Sequence, residues 1–236
     1  MKEREFERVV ELESRKLARE DNRQIVIETQ KEVEKNNNTI ANLINNKLHE
    51  HNIKSFDIVG AIGAGKTAIL EKITDRLAQK FKILVICGDI TTRVDADRIQ
   101  KKNVDTIQIN TGRECALNAY YINKVINNID LCKYNIIFIE NVGNLICPAE
   151  FLLGMDKRII VVSTTEGEWV VEKHPLLFKM SEIAIINKID LVERLETDLD
   201  KMVNDAKEIN PNIEVILTST KTDEGIEDLI KKLNLK

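Results

Sequence analysis

The sequence predicts an α/β fold, with a mostly parallel sheet and helices on both of its faces. The first observation is a series of short apolar runs rich in β-branched residues, typical of parallel strands buried on both faces. These runs cover residues 56–59, 83–86, 136–139, 159–162, 183–186 and 215–217, with a weaker one at 106–109. The second observation is that helical patterns separate several of these runs. The patterns cover residues 68–80, 113–129, 192–209 and 224–234.

The first 50 residues have a different pattern, which is polar and helix-like. Apolar residues recur at helical spacing, at Ile25, Ile27, Val33, Ile40, Leu43, Ile44 and Leu48. The run Asn36-Asn37-Asn38 predicts a break into two helices, with Thr39 as a cap. We therefore divide the chain into an N-terminal helical appendage, residues 1–50, and a main domain, residues 51–236. The appendage either packs on the main domain or contributes to a partner surface.

Composition argues against several classes of function. The net charge is −4 and aromatic residues make up 4% of the 236 residues, which disfavours nucleic acid as a partner. Apolar runs are too short to cross a bilayer, and the N-terminus lacks the apolar core of a signal peptide. We expect no membrane association and a cytoplasmic location. The four cysteines form no C-x-x-C pair, so thiols are expected rather than disulfides.

A phosphate-binding loop is the clearest motif. Gly60-Ala61-Ile62-Gly63-Ala64-Gly65-Lys66-Thr67 fits G-x-x-x-x-G-K-S/T and lies between a predicted strand and a predicted helix. Glycines let backbone N–H groups surround a polyphosphate, Lys66 places a positive charge on its oxygens, and Thr67 offers a hydroxyl to Mg²⁺. The motif predicts a P-loop NTPase. Its expected phosphate contacts are Gly60, Gly63, Ala64, Gly65, Lys66, Thr67 and Ala68.

A guanine-recognition motif follows the strand at residues 183–186. Asn187-Lys188-Ile189-Asp190 fits N-K-x-D, in which the Asp190 carboxylate accepts hydrogen bonds from N1–H and the 2-amino group of guanine. Adenine lacks this pair of donors and would leave the carboxylate unpaired. The stem of Lys188 can cover the base, and Asn187 can bridge to loop backbone. The loop after the last strand, with Ser219, Thr220 and Lys221, completes the expected site for GTP or GDP.

The magnesium side is predicted from acidic residues that follow other strands. Mg²⁺ takes one or two carboxylates together with phosphate oxygens, and the candidates beside Thr67 are Asp89, Asp95 and Glu140. We expect catalysis to depend on Lys66, Thr67, Asp95 and Glu140, and the backbone of Gly143 to contact the γ-phosphate. No glutamine follows Gly143 to orient water, and no arginine finger is evident. This predicts slow hydrolysis and a GTP-gated switch.

Several stretches together resemble the HypB family. Besides the motifs above, they are residues 88–90, 95–99, 110–115, 139–148 and 172–175, and the stretch Glu140-Asn141-Val142-Gly143-Asn144 with its later Cys147-Pro148 is the most specific. The resemblance implies a GTPase of the signal-recognition and metal-chaperone class. It implies GTP-dependent homodimerisation, a hydrogenase maturation partner, and assistance in nickel delivery to nickel–iron hydrogenase.

The resemblance also implies a metal site between two protomers, but with a departure. Cys115 and Cys147 match the family's metal-binding cysteines, whereas Ala116 and Tyr120 stand where histidines are expected. Two thiolates from each protomer would suit Zn²⁺. Imidazole ligands would suit Ni²⁺ as well, but Ala116 and Tyr120 supply none. Without the resemblance, both cysteines are typical of small buried apolar residues.

Two other functions remain open on the sequence. One is a GTP-dependent dimeric interaction module without metal delivery, which the missing histidines favour. The other is an ATP-driven partitioning or transport factor, which shares the phosphate loop but leaves Asn187-Lys188-Ile189-Asp190 unexplained.

Overall fold

A computed structural model describes residues 22–90, 94–100, 102, 104–112 and 114–235. It distinguishes two compact units, residues 1–36 and residues 37–236. Residues 1–21 of the predicted appendage lie outside the described residues. Among the described helices, none combines the length and the apolar composition that a membrane crossing requires.

The described residues form one sheet of seven parallel strands, which confirms the predicted fold class. The strands are β1 (Lys54–Gly60), β2 (Ile83–Asp89), β3 (Asp105–Asn110), β4 (Ile136–Glu140), β5 (Lys157–Ser163), β6 (Ile183–Asn187) and β7 (Glu214–Thr218). Their spatial order is β3-β2-β4-β1-β5-β6-β7. The phosphate-loop strand β1 is therefore central, and each predicted apolar run lies within a strand.

Helices cover both faces of this sheet. They are α1 (Asn22–Glu50), α2 (Lys66–Leu77), α3 (Val94–Gln100), α4 (Ala119–Ile126), α5 (Val170–Lys173), α6 (Pro175–Lys179), α7 (Val192–Leu195), α8 (Leu199–Ile209) and α9 (Ile226–Lys232). On β2, Val85 packs with α2, α3 and α9, whereas Leu84 and Ile86 pack with α1 and α4. Adjacent residues of one strand thus enter different cores, because side chains alternate between the faces of a strand.

The predicted helix break at Asn36-Asn37-Asn38 is wrong, because α1 is continuous from Asn22 to Glu50. Asn37 is buried, and its amide donates to Leu152 O and accepts from Ala119 N, at 2.8 Å each. These tertiary bonds outweigh the low helix propensity of asparagine. Ala41, Ile44 and Leu48 belong to the core beneath the sheet. The division of contacts therefore lies before Asn37, and a separate role for residues 1–50 stays a prediction.

Two predicted helices have different bounds in the structure. The pattern at 113–129 becomes the shorter α4, whose cap Asn118 accepts from Tyr121 N. The pattern at 192–209 is divided into α7 and α8 by Glu196, which has a φ of 52°. Asp198 then caps α8 by accepting from Lys201 N at 2.9 Å. In both cases a capping side chain decides where the helix begins.

Candidate functional site

The predicted phosphate and magnesium residues meet at one edge of the sheet. Because the strands are parallel, the loops after β1, β2, β4, β6 and β7 all leave at the carboxyl edge. The loop at residues 61–65 joins β1 to α2 and borders a cleft of about 450 Å³. Residues that follow β2 and β4, together with Asp95 and Arg98 of α3, line the rest of this cleft. The topology thus assembles motifs that are far apart in the sequence.

Two glycines of these loops are required by close packing. Gly65 has a φ of 106°, and a Cβ atom there would collide with Nδ2 of Asn187. A Cβ atom at Gly143 would collide with the side chain of Ile62 in the phosphate loop. The phosphate loop is therefore in close contact with the base motif on one side and with the loop after β4 on the other.

Lys66 is positioned to meet an anion in the cleft. The residue is 7% exposed, and its Nζ donates to the carbonyl oxygens of Gly60 and Ala61, at 3.0 Å each. Burial lowers the pKa of the Lys66 ammonium, and the carboxylates of Glu140 and Asp95 oppose this effect. A polyphosphate would supply oxygens of full negative charge in place of the two carbonyls, which are weaker partners for an ammonium.

Of the predicted magnesium ligands, Asp95 and Glu140 both contact the hydroxyl of Thr67. Thr67 Oγ1 lies 2.8 Å from Asp95 Oδ1 and 2.7 Å from Glu140 Oε1. Burial raises the pKa of Glu140 to about 7, although Lys66 and the Thr67 hydroxyl favour its charged form. Its other oxygen, Oε2, is buried without a hydrogen-bond partner. These hard oxygen donors, one of them unpaired, fit Mg²⁺.

Asp89 and Gly143, also predicted for this side of the site, line the same cleft. Asp89 Oδ1 accepts from the backbone N–H of Ile90 at 2.5 Å, so this carboxylate also stabilises the turn after β2. Arg98, which lies in the family-like stretch 95–99 but has no role predicted from the sequence, lines the cleft as well. Its guanidinium donates to Glu71 at 2.6 and 3.2 Å. Within the described part of the cleft, Glu71 therefore keeps the Arg98 guanidinium in place.

The base motif begins with Asn187, which is fully buried. Its Nδ2 donates to Ala64 O at 3.0 Å, and its Oδ1 accepts from Thr218 Oγ1 at 3.1 Å. Asn187 therefore bridges the phosphate loop and the end of β7. Lys188 follows in a left-handed conformation, with a φ of 61°, and its carbonyl accepts from Thr164 Oγ1 at 2.8 Å. This turn directs the chain from β6 into the segment that carries Asp190.

Asp190 is brought together with the loop after β7. Ser219 Oγ donates to Asp190 Oδ1 at 2.6 Å, and Lys221 Nζ lies 3.9 Å from Asp190 Oδ2. The Asp190 side chain is 16% exposed. Ser219 Oγ also accepts from Thr222 N at 3.2 Å, and Thr220 lies half-buried in the same loop. The carboxylate is thus oriented before any base arrives, as recognition of a base edge requires.

Lys188 is held by a chain of polar groups, here called the Glu166 chain, that motif matching does not identify. Lys188 Nζ donates to Thr165 Oγ1 at 3.1 Å, and Thr165 Oγ1 lies 2.7 Å from Ser163 Oγ. Ser163 Oγ and its backbone N–H both donate to Glu166 Oε1, at 3.1 and 2.9 Å. The available signal is a capping box that begins at the last residue of β5.

A second buried polar group, which sequence reasoning also missed, lies behind the loop after β4. Arg158 Nε donates to Asp57 Oδ2 at 2.9 Å, and both side chains are at most 5% exposed. Asn141 Nδ2 donates to Asp57 Oδ1 at 3.2 Å, while Asn141 Oδ1 accepts from Leu117 N at 3.0 Å. Asn141 therefore connects the central strand to the loop that carries Cys115. An acid and an arginine within apolar strand runs were the only signal.

The two predicted metal-binding cysteines lie next to each other, but they form a disulfide instead of two free thiols. Cys115 and Cys147 are bonded, with Cα atoms 6.1 Å apart. The expectation of thiols at these two positions is therefore wrong for this structure. Their separation of 32 residues conceals their proximity, which arises because the loops after β3 and β4 leave the same edge of the sheet. Cys87 and Cys132 are free thiols, as expected.

Neither the disulfide nor its surroundings forms a transition-metal site within one protomer. Ala116 is buried and Tyr120 is exposed, so no imidazole stands beside the cysteines. Among the described residues, no group of three or more histidines, cysteines and acids is arranged to hold a metal ion. The candidate magnesium site at Thr67 is a different kind of site from the cysteine pair. Among the described residues it contains two acids in contact with Thr67, and the Thr67 hydroxyl and the phosphate oxygens of a nucleotide would complete its ligands. Two sulfurs of one protomer are thus an incomplete ligand set.

Comparisons with known proteins agree on the family. A model of the CobW/HypB/UreG nucleotide-binding domain matches residues 55–217. The probable hydrogenase maturation factor HypB of Methanocaldococcus jannaschii is 44% identical over 206 residues, which cover 87% of this chain and 93% of that protein.

Solved structures give the same result. The crystal structure of HypB from Archaeoglobus fulgidus has a TM-score of 0.79 and 38% identity, and the match covers 84% of this chain and 97% of that chain. The crystal structure of HypB from Helicobacter pylori in complex with nickel has a TM-score of 0.80 and 32% identity, covering 84% and 94%. From the family model, the identities and the shared fold, we conclude that this chain belongs to the HypB family of P-loop nucleotide-binding proteins.

Proposed function

We propose that this protein is a GTP-binding, slowly GTP-hydrolysing maturation factor that assists nickel delivery to nickel–iron hydrogenase. The observation that carries the proposal is the Asp190 carboxylate, held by Ser219 at the same sheet edge as the phosphate loop. The relatives in hand are named as hydrogenase maturation factors, which supports the client. The setting, as predicted from the sequence, is the cytoplasm.

Guanine is the base that this arrangement favours. Asp190 keeps one oxygen on Ser219 and retains acceptor capacity for the N1–H and 2-amino donors of guanine. The Glu166 chain fixes the ammonium of Lys188, so its aliphatic stem is available to cover the base. Adenine would present no matching donors and would leave a largely buried carboxylate unpaired.

The phosphate side provides charge and orientation. Lys66 would exchange its two carbonyl partners for phosphate oxygens, and the N-terminus of α2 faces the same anion. Thr67, Asp95 and Glu140 would hold Mg²⁺, which neutralises charge on the phosphates when it is bound. The raised pKa of Glu140 would then fall, because a nearby cation favours the carboxylate.

Slow turnover is supported by the side chains that do not face the phosphates. Asn144 follows Gly143, but its Oδ1 accepts from the backbone N–H groups of Ile146 and Cys147, at 2.7 and 3.1 Å. It is therefore engaged in its own loop rather than available to orient water. Arg98 is engaged with Glu71. Asn144 and Arg98, as the structure describes them, therefore leave the charge of the transition state incompletely stabilised without a partner or a rearrangement.

Dimerisation in the GTP-bound state is part of the proposal. Ile62 of the phosphate loop is 82% exposed and Ile146, beside Cys147, is 68% exposed. A partner protomer that packed against these two loops would remove both side chains from water, which is favourable. A homodimer that faces its two nucleotide sites would cover them and would bring the cysteines of both protomers together. Four thiolates would then be available for Zn²⁺ or for nickel as cargo.

Three measurements on the full-length protein test the proposal. Competition of GDP and ATP for the site should show GDP binding and no tight ATP binding, because only guanine pairs with Asp190. Unassisted turnover should remain below about 1 s⁻¹, the low end of the range for kinases. Light scattering should show a dimer with a non-hydrolysable GTP analogue and a monomer with GDP. Tight ATP binding would refute the guanine assignment, and faster turnover would refute the switch.

A second function, a GTP-dependent interaction module without metal delivery, is favoured by one observation. Ala116 and Tyr120 supply no imidazole beside the cysteine pair. Equilibrium dialysis of the reduced protein against Ni²⁺ or Zn²⁺, with and without the GTP analogue, separates the two functions. Binding to the wild type that is lost in Cys147→Ser supports metal handling. No binding in any state supports the interaction module.

A further inference from the structure

The Cys115–Cys147 bond joins two loops that the nucleotide site already positions. The Cys115 loop is fixed by Thr111 N, which donates to Asp89 O at 2.9 Å, and by Leu117 N on Asn141. The Cys147 loop is fixed by Asn144, whose N–H donates to Gly60 O at 3.1 Å. None of these hydrogen bonds involves a sulfur atom, so they should keep the two cysteines close after reduction as well.

The pair is also accessible to small molecules. Cys115 is exposed and Cys147 is half-buried. Cys87 provides a contrast, because it is buried in the core and burial raises the pKa of its thiol, which disfavours the reactive thiolate. Cys132 is exposed but has no cysteine partner within the described residues. Only Cys115 and Cys147 combine access with a neighbouring thiol.

We infer that Cys115 and Cys147 form a thiol–disulfide exchange site that takes small organic disulfides and controls metal capture by this face. One thiolate attacks the external disulfide and releases one thiol; the second thiolate then displaces the other. Two thiols and one external disulfide become one internal disulfide and two external thiols. Two electrons pass from the cysteine sulfurs to the external disulfide, and the two cysteine protons end on the released thiols.

Control of metal capture follows from the ligand set of this chain, and in this respect the inference rests on the proposed function. Thiolates, not disulfide sulfurs, are metal ligands. Ala116 and Tyr120 stand in place of histidines, so these two positions supply no imidazole that could keep an ion once the sulfurs are oxidised. Oxidation should therefore weaken metal capture strongly. A disulfide in a reducing compartment is usually of this transient, redox-responsive kind.

Thiol trapping tests the exchange site independently of any metal. The full-length protein is equilibrated with reduced and oxidised glutathione at varied ratios and quenched in acid. Its free thiols are then labelled with a maleimide and counted by intact-protein mass spectrometry. We expect two of the four thiols to be lost together in one step. Cys115→Ser should replace that step by a mixed disulfide with glutathione, whereas Cys132→Ser, the matched control, should retain it. Peptide mapping that finds no Cys115–Cys147 link in oxidised protein would overturn the inference.

Zinc dialysis tests control of metal capture, with Zn²⁺ alone as the probe. The reduced protein should bind Zn²⁺ at least tenfold more tightly than the protein oxidised by glutathione disulfide, and added thiol should restore binding. GDP binding by both forms verifies that each is folded. Equal Zn²⁺ binding by the two forms would overturn the inference and leave the proposed function intact. Absence of Zn²⁺ binding from both forms would overturn metal control together with the zinc part of the proposed function.

Discussion

Replacing Asp190 by asparagine changes one acceptor atom into a donor and should change base preference. In the structure the Asp190 side chain is 16% exposed and one of its oxygens is engaged by Ser219. With guanine bound, the amide of Asp190→Asn would lose one charge-assisted bond and would oppose the 2-amino donor with another donor. Together these effects should cost about 3 kcal/mol, or roughly 150-fold in affinity for GDP.

Calorimetry with GDP and with inosine diphosphate, which lacks the 2-amino group, measures this effect. The wild type should prefer GDP, and Asp190→Asn should lose most of this preference because its affinity for GDP falls. Asp228→Asn is a matched control, since it makes the same change at an exposed position paired only with Lys231. The reasoning is refuted if Asp190→Asn binds GDP within about threefold of the wild type and still prefers it to inosine diphosphate.

Three further predictions concern buried or partly buried acids. The pKa of Glu140 is raised to about 7 from 4.5, so the metal-free protein should lose about 3 kcal/mol of unfolding free energy as pH rises through this interval. Denaturant titrations at both ends should show this loss in the wild type but not in Glu140→Gln. Glu166→Ala should weaken GDP binding about fivefold, because the polar groups that hold Lys188 are released. In a double-mutant cycle with Lys188→Ala, the losses of GDP binding free energy should be non-additive. Additive losses would contradict the claim that Glu166 acts through Lys188. Asp57→Asn should destabilise the fold by about 3 kcal/mol or more, because it leaves the buried Arg158 guanidinium without its anionic partner. Urea denaturation measures this loss. Joint replacement of both residues by apolar ones should cost less unfolding free energy than the single change.

The strands and the nucleotide motifs could be predicted because each is a local pattern. A strand buried on both faces has to be continuously apolar, and a phosphate loop needs its glycines and lysine in a fixed order. These patterns do not depend on what packs against them. Because ligands bind at the carboxyl edge of such a sheet, the motifs after its strands were expected at that edge, where the structure places Thr67 in contact with Asp95 and Glu140.

The features that could not be predicted depend on contacts between distant segments. Asn37 stays helical because two backbone groups far along the chain bind its amide. Cys115 and Cys147 are adjacent because two loops share an edge, which their spacing does not reveal. Asp57 lies inside an apolar run and Arg158 directly precedes another, and neither has its partner until the sheet is assembled. In each case local propensity gives no indication of the partner.

The two hydrogen bonds of the Asn187 side chain have a consequence for the rate of nucleotide binding. Its amide connects the carbonyl of Ala64 to the hydroxyl of Thr218, and these bonds fix the spacing between the base-binding loop and the phosphate loop. A nucleotide then meets a preformed cradle and does not wait for a loop to fold. Association should approach the rate of productive collision, and differences in affinity among ligands should be expressed as differences in residence time.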